Sequence, residues 1–301
     1  MNSKLSLSGA FTALVTPFTS DARGLDVEAF ETLVQSQLDA GISGLVPCGT
    51  TGESPTLSDQ EKYEIISRTA RFAKGKVPIL AGSGSNCTET SIHSSQAALE
   101  AGADAVMIVM PYYNKPSQEG MFQHVTTIAK QIGGAPVVLY NIPGRSVVDL
   151  HTDTLARIVD VCPNVVALKD ATGNVVRCQE VACRFGDDLA VMSGDDGITL
   201  GMMASGAKGV ISVTSNLYPD RVAAVCRAVE SGDLALAKKL HFSLLPVHGV
   251  MFVEPNPGPV KAALAHKNRI HLALRLPLCS PSQANRKLVV DTITAYDART
   301  R

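Results

Sequence analysis

Residues 105–141 read AVMIVMPYYNKPSQEGMFQHVTTIAKQIGGAPVVLYN. The stretch opens on six apolar residues, Ala105 to Met110, and closes on a second strand-like run, Pro136 to Asn141. Between them Met121, Val125, Ile128 and Ile132 recur at steps of three or four, the spacing of one helix face. The two end runs are near-continuously apolar rather than alternating, which marks strands buried on both faces. A strand, a helix and a second strand of this kind form a right-handed crossover in a parallel sheet.

Outward from this unit the same beat repeats. Strand-like runs lie at Phe11 to Phe18, Gly44 to Cys48, Pro78 to Ala81, Val165 to Lys169, Ala190 to Ser193 and Gly209 to Val213, which brings the count to eight. Helical spacing recurs between them, as in Phe30, Leu33, Val34 and Leu38, and Ser58 with Glu61 three residues on reads as a capping box. Eight such repeats of roughly 28 residues are expected to close into a (β/α)8 TIM barrel of the α/β class. The barrel is expected over residues 1–230, with a C-terminal helical extension over 231–301. There Leu234, Leu240 and Leu244 share one helix and Pro259 opens another. An open doubly wound sheet is the competing architecture, but its glycine-rich turn is missing. The first strand leads into Thr16-Pro17-Phe18, and Gly82-Ser83-Gly84 lacks the third glycine.

Composition narrows the function classes. The 301 residues hold 27 Lys+Arg against 28 Asp+Glu, a formal charge of −1, so there is no basic field for nucleic acid or an anionic membrane. Hydrophobic residues make up 45% and mean hydropathy is +0.13, which argues against a disordered chain. The apolar runs fall far short of the ~20 residues that span a bilayer. The segment Met1 to Phe18 does not have the layout of a secretion signal, so a cytoplasmic protein is expected. Seven cysteines, an odd number with no C-x-x-C pair, suit buried thiols in a reducing compartment.

In a parallel barrel the active site forms at the C-terminal ends of the strands, so polar residues there carry weight. They are Gly49-Thr50-Thr51-Gly52-Glu53, Pro111-Tyr112-Tyr113-Asn114, Tyr140-Asn141-Ile142-Pro143-Gly144-Arg145, Lys169 and Gly194-Asp195-Asp196. Lys169 ends an apolar run, Val165-Val166-Ala167-Leu168, where an ammonium is costly. Burial disfavours the charged form, and a pKa lowered by about 3 would turn the side chain into a usable amine nucleophile. A lysine paired with Asp170, or reaching out to water, fits the same segment. Thr50 and Thr51 suit a carboxylate, and equally an ordinary capped turn. Arg145 suits a second carboxylate, and equally a surface position. Tyr140, Tyr112 and Tyr113 fit core filling with a satisfied hydroxyl. Taken together, an amine, phenols, threonines and an arginine at one rim are what carbonyl chemistry on a carboxylate substrate needs. The seven histidines show no metal-ligand spacing and none lies in these segments, so no metal is expected. Asp195-Asp196 could bind magnesium, but adjacent carboxylates on a turn read first as a solvated or helix-capping pair.

At these residues the chain strongly resembles the dihydrodipicolinate synthases, a branch of the pyruvate-dependent class I aldolase family that also holds N-acetylneuraminate lyase. The resemblance runs from about Gly9 to Pro277. It rests on GTTGES from Gly49, PYYNKPSQEG from Pro111, LYNIPGR from Leu139, ALKDATGN from Ala167, SGDD from Ser193, GVISVTSN from Gly209 and FVEPNPGPVK from Phe252. GTTGE and the strand-six lysine mark only the broad family, whereas PYYN followed by NIPGR is more discriminating.

The resemblance implies a lyase of lysine and diaminopimelate biosynthesis in which pyruvate forms a Schiff base with Lys169 and the derived enamine attacks L-aspartate 4-semialdehyde. Tyr140, Thr50 and Tyr113 would move protons, with Tyr113 supplied by a neighbouring subunit. Thr51 would hold the pyruvate carboxylate, Arg145 the carboxylate of the semialdehyde, and the backbone of Gly194 and Ile211 would line the pocket. No metal or dissociable cofactor is implied, and the assembly would be a homotetramer built as a dimer of dimers. A sister aldolase or dehydratase with another acceptor, and a catalytically silent metabolite-binding barrel, stay open beside it.

Lysine-regulated relatives hold that effector with residues that include two histidines and a glutamate. This chain keeps Asn86 and Tyr112 at matching positions, with Asp59 and Lys62 for the histidines and Thr90 for the glutamate. The resemblance therefore implies weak or absent inhibition by lysine.

Overall fold

In the computed structural model, which describes residue 5 and residues 7–300, eight parallel strands alternate with helices. Residues 1–4 and 6 of the expected barrel span and residue 301 of the expected extension lie outside the described residues. The strands are β1 (Gly9–Ala13), β2 (Gly44–Val46), β3 (Leu80–Gly82), β4 (Ala105–Val109), β5 (Val137–Asn141), β6 (Val165–Asp170), β7 (Ala190–Ser193) and β8 (Gly209–Ser212). The helices are α1 (Val27–Asp39), α2 (Asp59–Ala73), α3 (Thr88–Glu100), α4 (Gln118–Gln131), α5 (Pro143–Ser146), α6 (Thr152–Val161), α7 (Val175–Phe185), α8 (Thr199–Ala204), α9 (Pro219–Glu230), α10 (Leu234–Val250), α11 (Gly258–His266) and α12 (Gln283–Thr300).

The strand order β2-β1-β8-β7-β6-β5-β4-β3 leaves β2 and β3 at the two ends of the sheet. A parallel bridge between Leu45 and Ile79 joins those ends, as do bonds from Leu45 N to Pro78 O at 2.9 Å and from Gly82 N to Pro47 O at 2.9 Å. The result is the expected (β/α)8 TIM barrel with a helical C-terminal region, in which α10 packs on α9 and α12, and α11 on α12.

Strand alternation sorts the apolar residues into two cores. Phe11, Val46, Met107, Val138, Tyr140, Ala167, Met192 and Ile211 belong to the cluster inside the barrel, while Leu139, Leu168 and Val210 pack outward under the helices. Gly44 makes room for the interior: a Cβ there would lie 2.0 Å from the Phe11 ring.

The local helix signals hold. Phe30, Leu33 and Val34 are the buried face of α1, and Ser58 and Glu61 form a reciprocal capping box on α2, worth about 1 kcal/mol. One expectation changes. The first strand ends at Ala13 instead of running to Phe18, because the Asn216 side chain takes the place of a neighbouring strand: its Oδ1 accepts from Val15 N at 3.0 Å and its Nδ2 donates to Ala13 O at 2.8 Å, while Pro17 has no amide to donate. Leu14, Val15 and Phe18 are buried all the same, packed in the outer core under loops. Leu234, Leu240 and Leu244 do lie on one helix, α10, in which Leu244 is buried and Leu234 is 52% exposed. Among the described residues no helix is long and apolar enough to cross a membrane. All seven cysteines are unpaired, and Cys87, Cys183 and Cys279 are exposed.

Candidate active site

Lys169 is the penultimate residue of β6, and alternation with Leu168 turns its side chain into the barrel mouth. It is 6% exposed. Burial pushes its ammonium down to about 7; the Asp196 carboxylate works against this shift and the Arg145 charge adds to it. At neutral pH roughly half of such a group is the free amine. Its Nζ lies 4.0 Å from the centroid of the Tyr140 ring on the neighbouring strand. Lys169 and Tyr140 stand opposite each other in the β5–β6 register.

Tyr140 is 5% exposed, and burial pushes its phenol up to about 12. The Arg145 charge pulls the other way, as does the Thr50 side chain, which hydrogen-bonds the phenol. Tyr140 is therefore a neutral proton donor and acceptor at any pH the fold meets. Thr51, beside Thr50, is buried, and its Oγ1 accepts a hydrogen bond from Asn256 Nδ2 at 3.0 Å. Arg145 lies exposed on α5, and its Nη2 contacts the carbonyl of the same Asn256 at 3.5 Å. Gly194 N donates to Asp170 O at 2.7 Å, and a Cβ on Gly194 would come within 2.7 Å of the Ala171 Cβ. Ile211 is buried on β8 in the inner cluster.

Tyr113 does not join them. It has a left-handed backbone, φ 72°, and is 88% exposed, turned outward from its own barrel.

The turn that carries the two threonines is held from below by buried charge. Glu53, at φ 56°, is fully buried and pairs with the fully buried Lys261 of α11. Its other oxygen accepts from Arg275 N at 3.0 Å. Both cations face the Phe18 ring, Lys261 at 4.2 Å and Arg275 at 4.4 Å from its centroid. Burial lowers Lys261 to about 8, with Glu53 opposing.

Asn256 and Lys261 carry no role in the sequence reading, and Asp196 is read there first as solvated or capping. The signal for Lys261 was present, an ammonium within the apolar run Pro259 to Leu264, the same pattern that singles out Lys169. Asp196 is neither solvated nor a cap. It is 2% exposed, bonded to Ser212 Oγ and to the amides of Val213 at 2.8 Å and Thr214 at 3.1 Å. Asp195 does the capping, accepting from Gly197 N at 2.8 Å. Among the described residues no group of three or more His, Cys, Asp or Glu stands together as a metal site would require.

A buried amine of lowered pKa stands against a phenol that Thr50 hydrogen-bonds, within the field of the Arg145 charge, and such an amine can add to a carbonyl. The profile of the dihydrodipicolinate synthetase family matches residues 6–296. The chain belongs to that family. Within it, the chain is 55% identical over 297 residues to the 4-hydroxy-tetrahydrodipicolinate synthase of Sorangium cellulosum, covering 99% of this chain and 98% of that one. Its fold superposes on the family enzyme from Methylacidiphilum fumariolicum SolV with a TM-score of 0.95, at 40% identity and 97% coverage of both chains. The family enzyme of Acinetobacter baumannii, solved in complex with pyruvate, matches with a TM-score of 0.94 at 39% identity, over 97% of this chain and 99% of that one.

Proposed function

We infer that this chain catalyses the condensation of pyruvate with L-aspartate 4-semialdehyde to 4-hydroxy-tetrahydrodipicolinate, a lyase step of lysine and diaminopimelate biosynthesis. The observation that carries the chemistry is Lys169, a buried amine brought to a pKa of about 7 at the mouth of the barrel. Full-length identity of 55% to a synthase of this activity carries the substrate assignment.

The free amine of Lys169 adds to C2 of pyruvate and expels the carbonyl oxygen as water, leaving an iminium that draws electrons from the methyl carbon. Loss of a methyl proton gives the enamine, whose carbon attacks the aldehyde carbon of the semialdehyde. The new alkoxide takes a proton, and the substrate's own amino group displaces Lys169 by transimination, closing the ring and freeing the enzyme. Tyr140 moves the protons in these steps, relayed through Thr50 and through Tyr113 of a neighbouring subunit. The Thr51 hydroxyl holds the pyruvate carboxylate, Arg145 the semialdehyde carboxylate, and the backbone at Gly194 and Ile211 lines the pocket. The relay requires at least a dimer, and 88% exposure of Tyr113 in the single chain supports this. The assembly is a homotetramer, a dimer of dimers. The seven unpaired thiols suit the cytoplasm. A coupled assay with both substrates tests the assignment: consumption of pyruvate only when the semialdehyde is present is expected, and turnover with another aldehyde in its place would move the chain to a sister activity.

A further inference from the structure

We propose that Asn141, Asp149 and Arg177 are positioning residues that hold the loop bearing Arg145 in register with the strand bearing Lys169. The inference deepens the reading above and rests on it. Arg145 sits on α5, a single turn of helix too short to fix its own direction. The loop is nevertheless stiff inside. Ser146 Oγ donates to the carbonyls of Ile142 and Val148, each at 3.0 Å, and Val147 N donates to Pro143 O at 2.9 Å. A loop bonded to itself in this way moves as one piece, so the tilt of its two ends decides where the guanidinium of Arg145 points.

Those ends are closed by one side-chain amide. Asn141, the last residue of β5, is fully buried; its Nδ2 donates to Asp149 Oδ1 at 2.7 Å and its Oδ1 accepts from Leu150 N at 3.1 Å. Arg177 of α7 then ties this closure to the next strand. Its Nη1 lies 3.6 Å from Asp149 Oδ1, its Nη2 donates to Leu150 O, and its Nε donates to Asp170 Oδ2 at 2.9 Å. Asp170 follows Lys169 on β6 and faces away from it by strand alternation. It is 1% exposed, and its other oxygen accepts from Thr172 N at 2.8 Å and Thr172 Oγ1 at 2.6 Å. One guanidinium therefore spans from the grip for the second substrate to the residue beside the Schiff-base lysine. None of the four side chains reaches the reacting atoms. Desolvating a carboxylate and a guanidinium is costly, so a network of this kind is better explained by placement than by stability.

The test is Asp149→Ala, whose side chain is 46% exposed and whose loss leaves the core intact. The KM for the semialdehyde is expected to rise roughly 10-fold, since a misaimed grip costs binding. The KM for pyruvate and the rate of borohydride trapping are expected to stay within about twofold of wild type. Asp149→Asn keeps an acceptor for Asn141 and is expected to recover most of the loss. An unchanged semialdehyde KM in Asp149→Ala, an equal rise for pyruvate, or Asp149→Asn no better than Asp149→Ala would overturn the inference. Wild-type turnover with the semialdehyde is measured in the same series. Its absence would defeat the assigned reaction, whereas wild-type turnover beside an unaffected Asp149→Ala defeats the positioning role alone.

Discussion

Lys169 Nζ stands 4.0 Å from the centroid of the Tyr140 ring, its register partner on the adjacent strand. The ring face attracts a cation, while burial disfavours one, and burial dominates. In the reaction proposed above, the iminium on the same nitrogen would again be a cation, which the ring would favour over the free amine. Burial keeps part of Lys169 as the free amine at neutral pH.

Adduct formation should therefore follow the free amine of Lys169, rising with pH up to about 7 and levelling above it. Rapid-quench borohydride trapping of pyruvate across pH measures this; a rate still climbing tenfold per pH unit near 9 would contradict the depressed pKa. The linkage to folding has the same origin. Between about 7 and the ordinary 10.5 the unfolded chain binds a proton that the folded chain lacks, so the cost of burying Lys169 is fully present below 7 and fades as pH rises through that window. Lys169→Arg keeps the charge but cannot supply a free amine, and is expected to trap no pyruvate.

Arg145→Ala should lose about 2 to 4 kcal/mol of transition-state stabilisation toward the semialdehyde while leaving Schiff-base formation nearly intact. Comparing the trapping rate with kcat/KM for the second substrate separates the two. Equal damage to both would make Arg145 a structural residue.

Tyr113 faces away from its own barrel, and this yields a test by complementation. Tyr113→Phe and Lys169→Ala subunits, each inactive alone, should recover part of the activity when mixed into verified hetero-oligomers. No recovery in such oligomers would remove Tyr113 from a partner's site.

Lysine should inhibit weakly or not at all. Asp59 is already paired with Lys62 at 3.3 Å, and Thr90 supplies no carboxylate for the ammonium of an effector. Loss of one charge-assisted contact costs roughly 1.5 to 3 kcal/mol, about 10-fold to 150-fold in affinity. Half-inhibition below about 1 mM, a binding energy near 4 kcal/mol, would show that the replacements support the site.

The pair beneath the threonine turn should behave as a buried ion pair does. Lys261→Met leaves the Glu53 carboxylate buried without its partner and should cost about 3 to 5 kcal/mol, whereas adding Glu53→Gln to it should cost less than the two single changes summed. Denaturant unfolding of the three variants reads the difference, and strict additivity would deny the coupling.

What the sequence determined by itself was everything that repeats at short range. The beat of apolar runs and helix faces, the capping box at Ser58, and an ammonium ending the run from Val165 to Leu168 are properties of a few neighbouring residues, and hydrophobic burial acts on them wherever the chain closes. With the rim rule for barrels they were enough to place Lys169, Tyr140, Thr50 and Arg145 at one mouth. Packing decided the rest. The Asn216 side chain, bonded to the Ala13 carbonyl and the Val15 amide, ended β1 at Ala13 although the apolar run continues. Asp196 became a buried tie because strand β8 and the segment after it offered a hydroxyl and two amides, where its sequence neighbourhood suggested a cap. Asn256 meets Thr51 across 205 residues of chain and Lys261 meets Glu53 across 208. No local pattern encodes such a meeting, because a buried polar group is satisfied by whatever partner the closed barrel brings to it. The tertiary structure alone chose which polar residues stand together there.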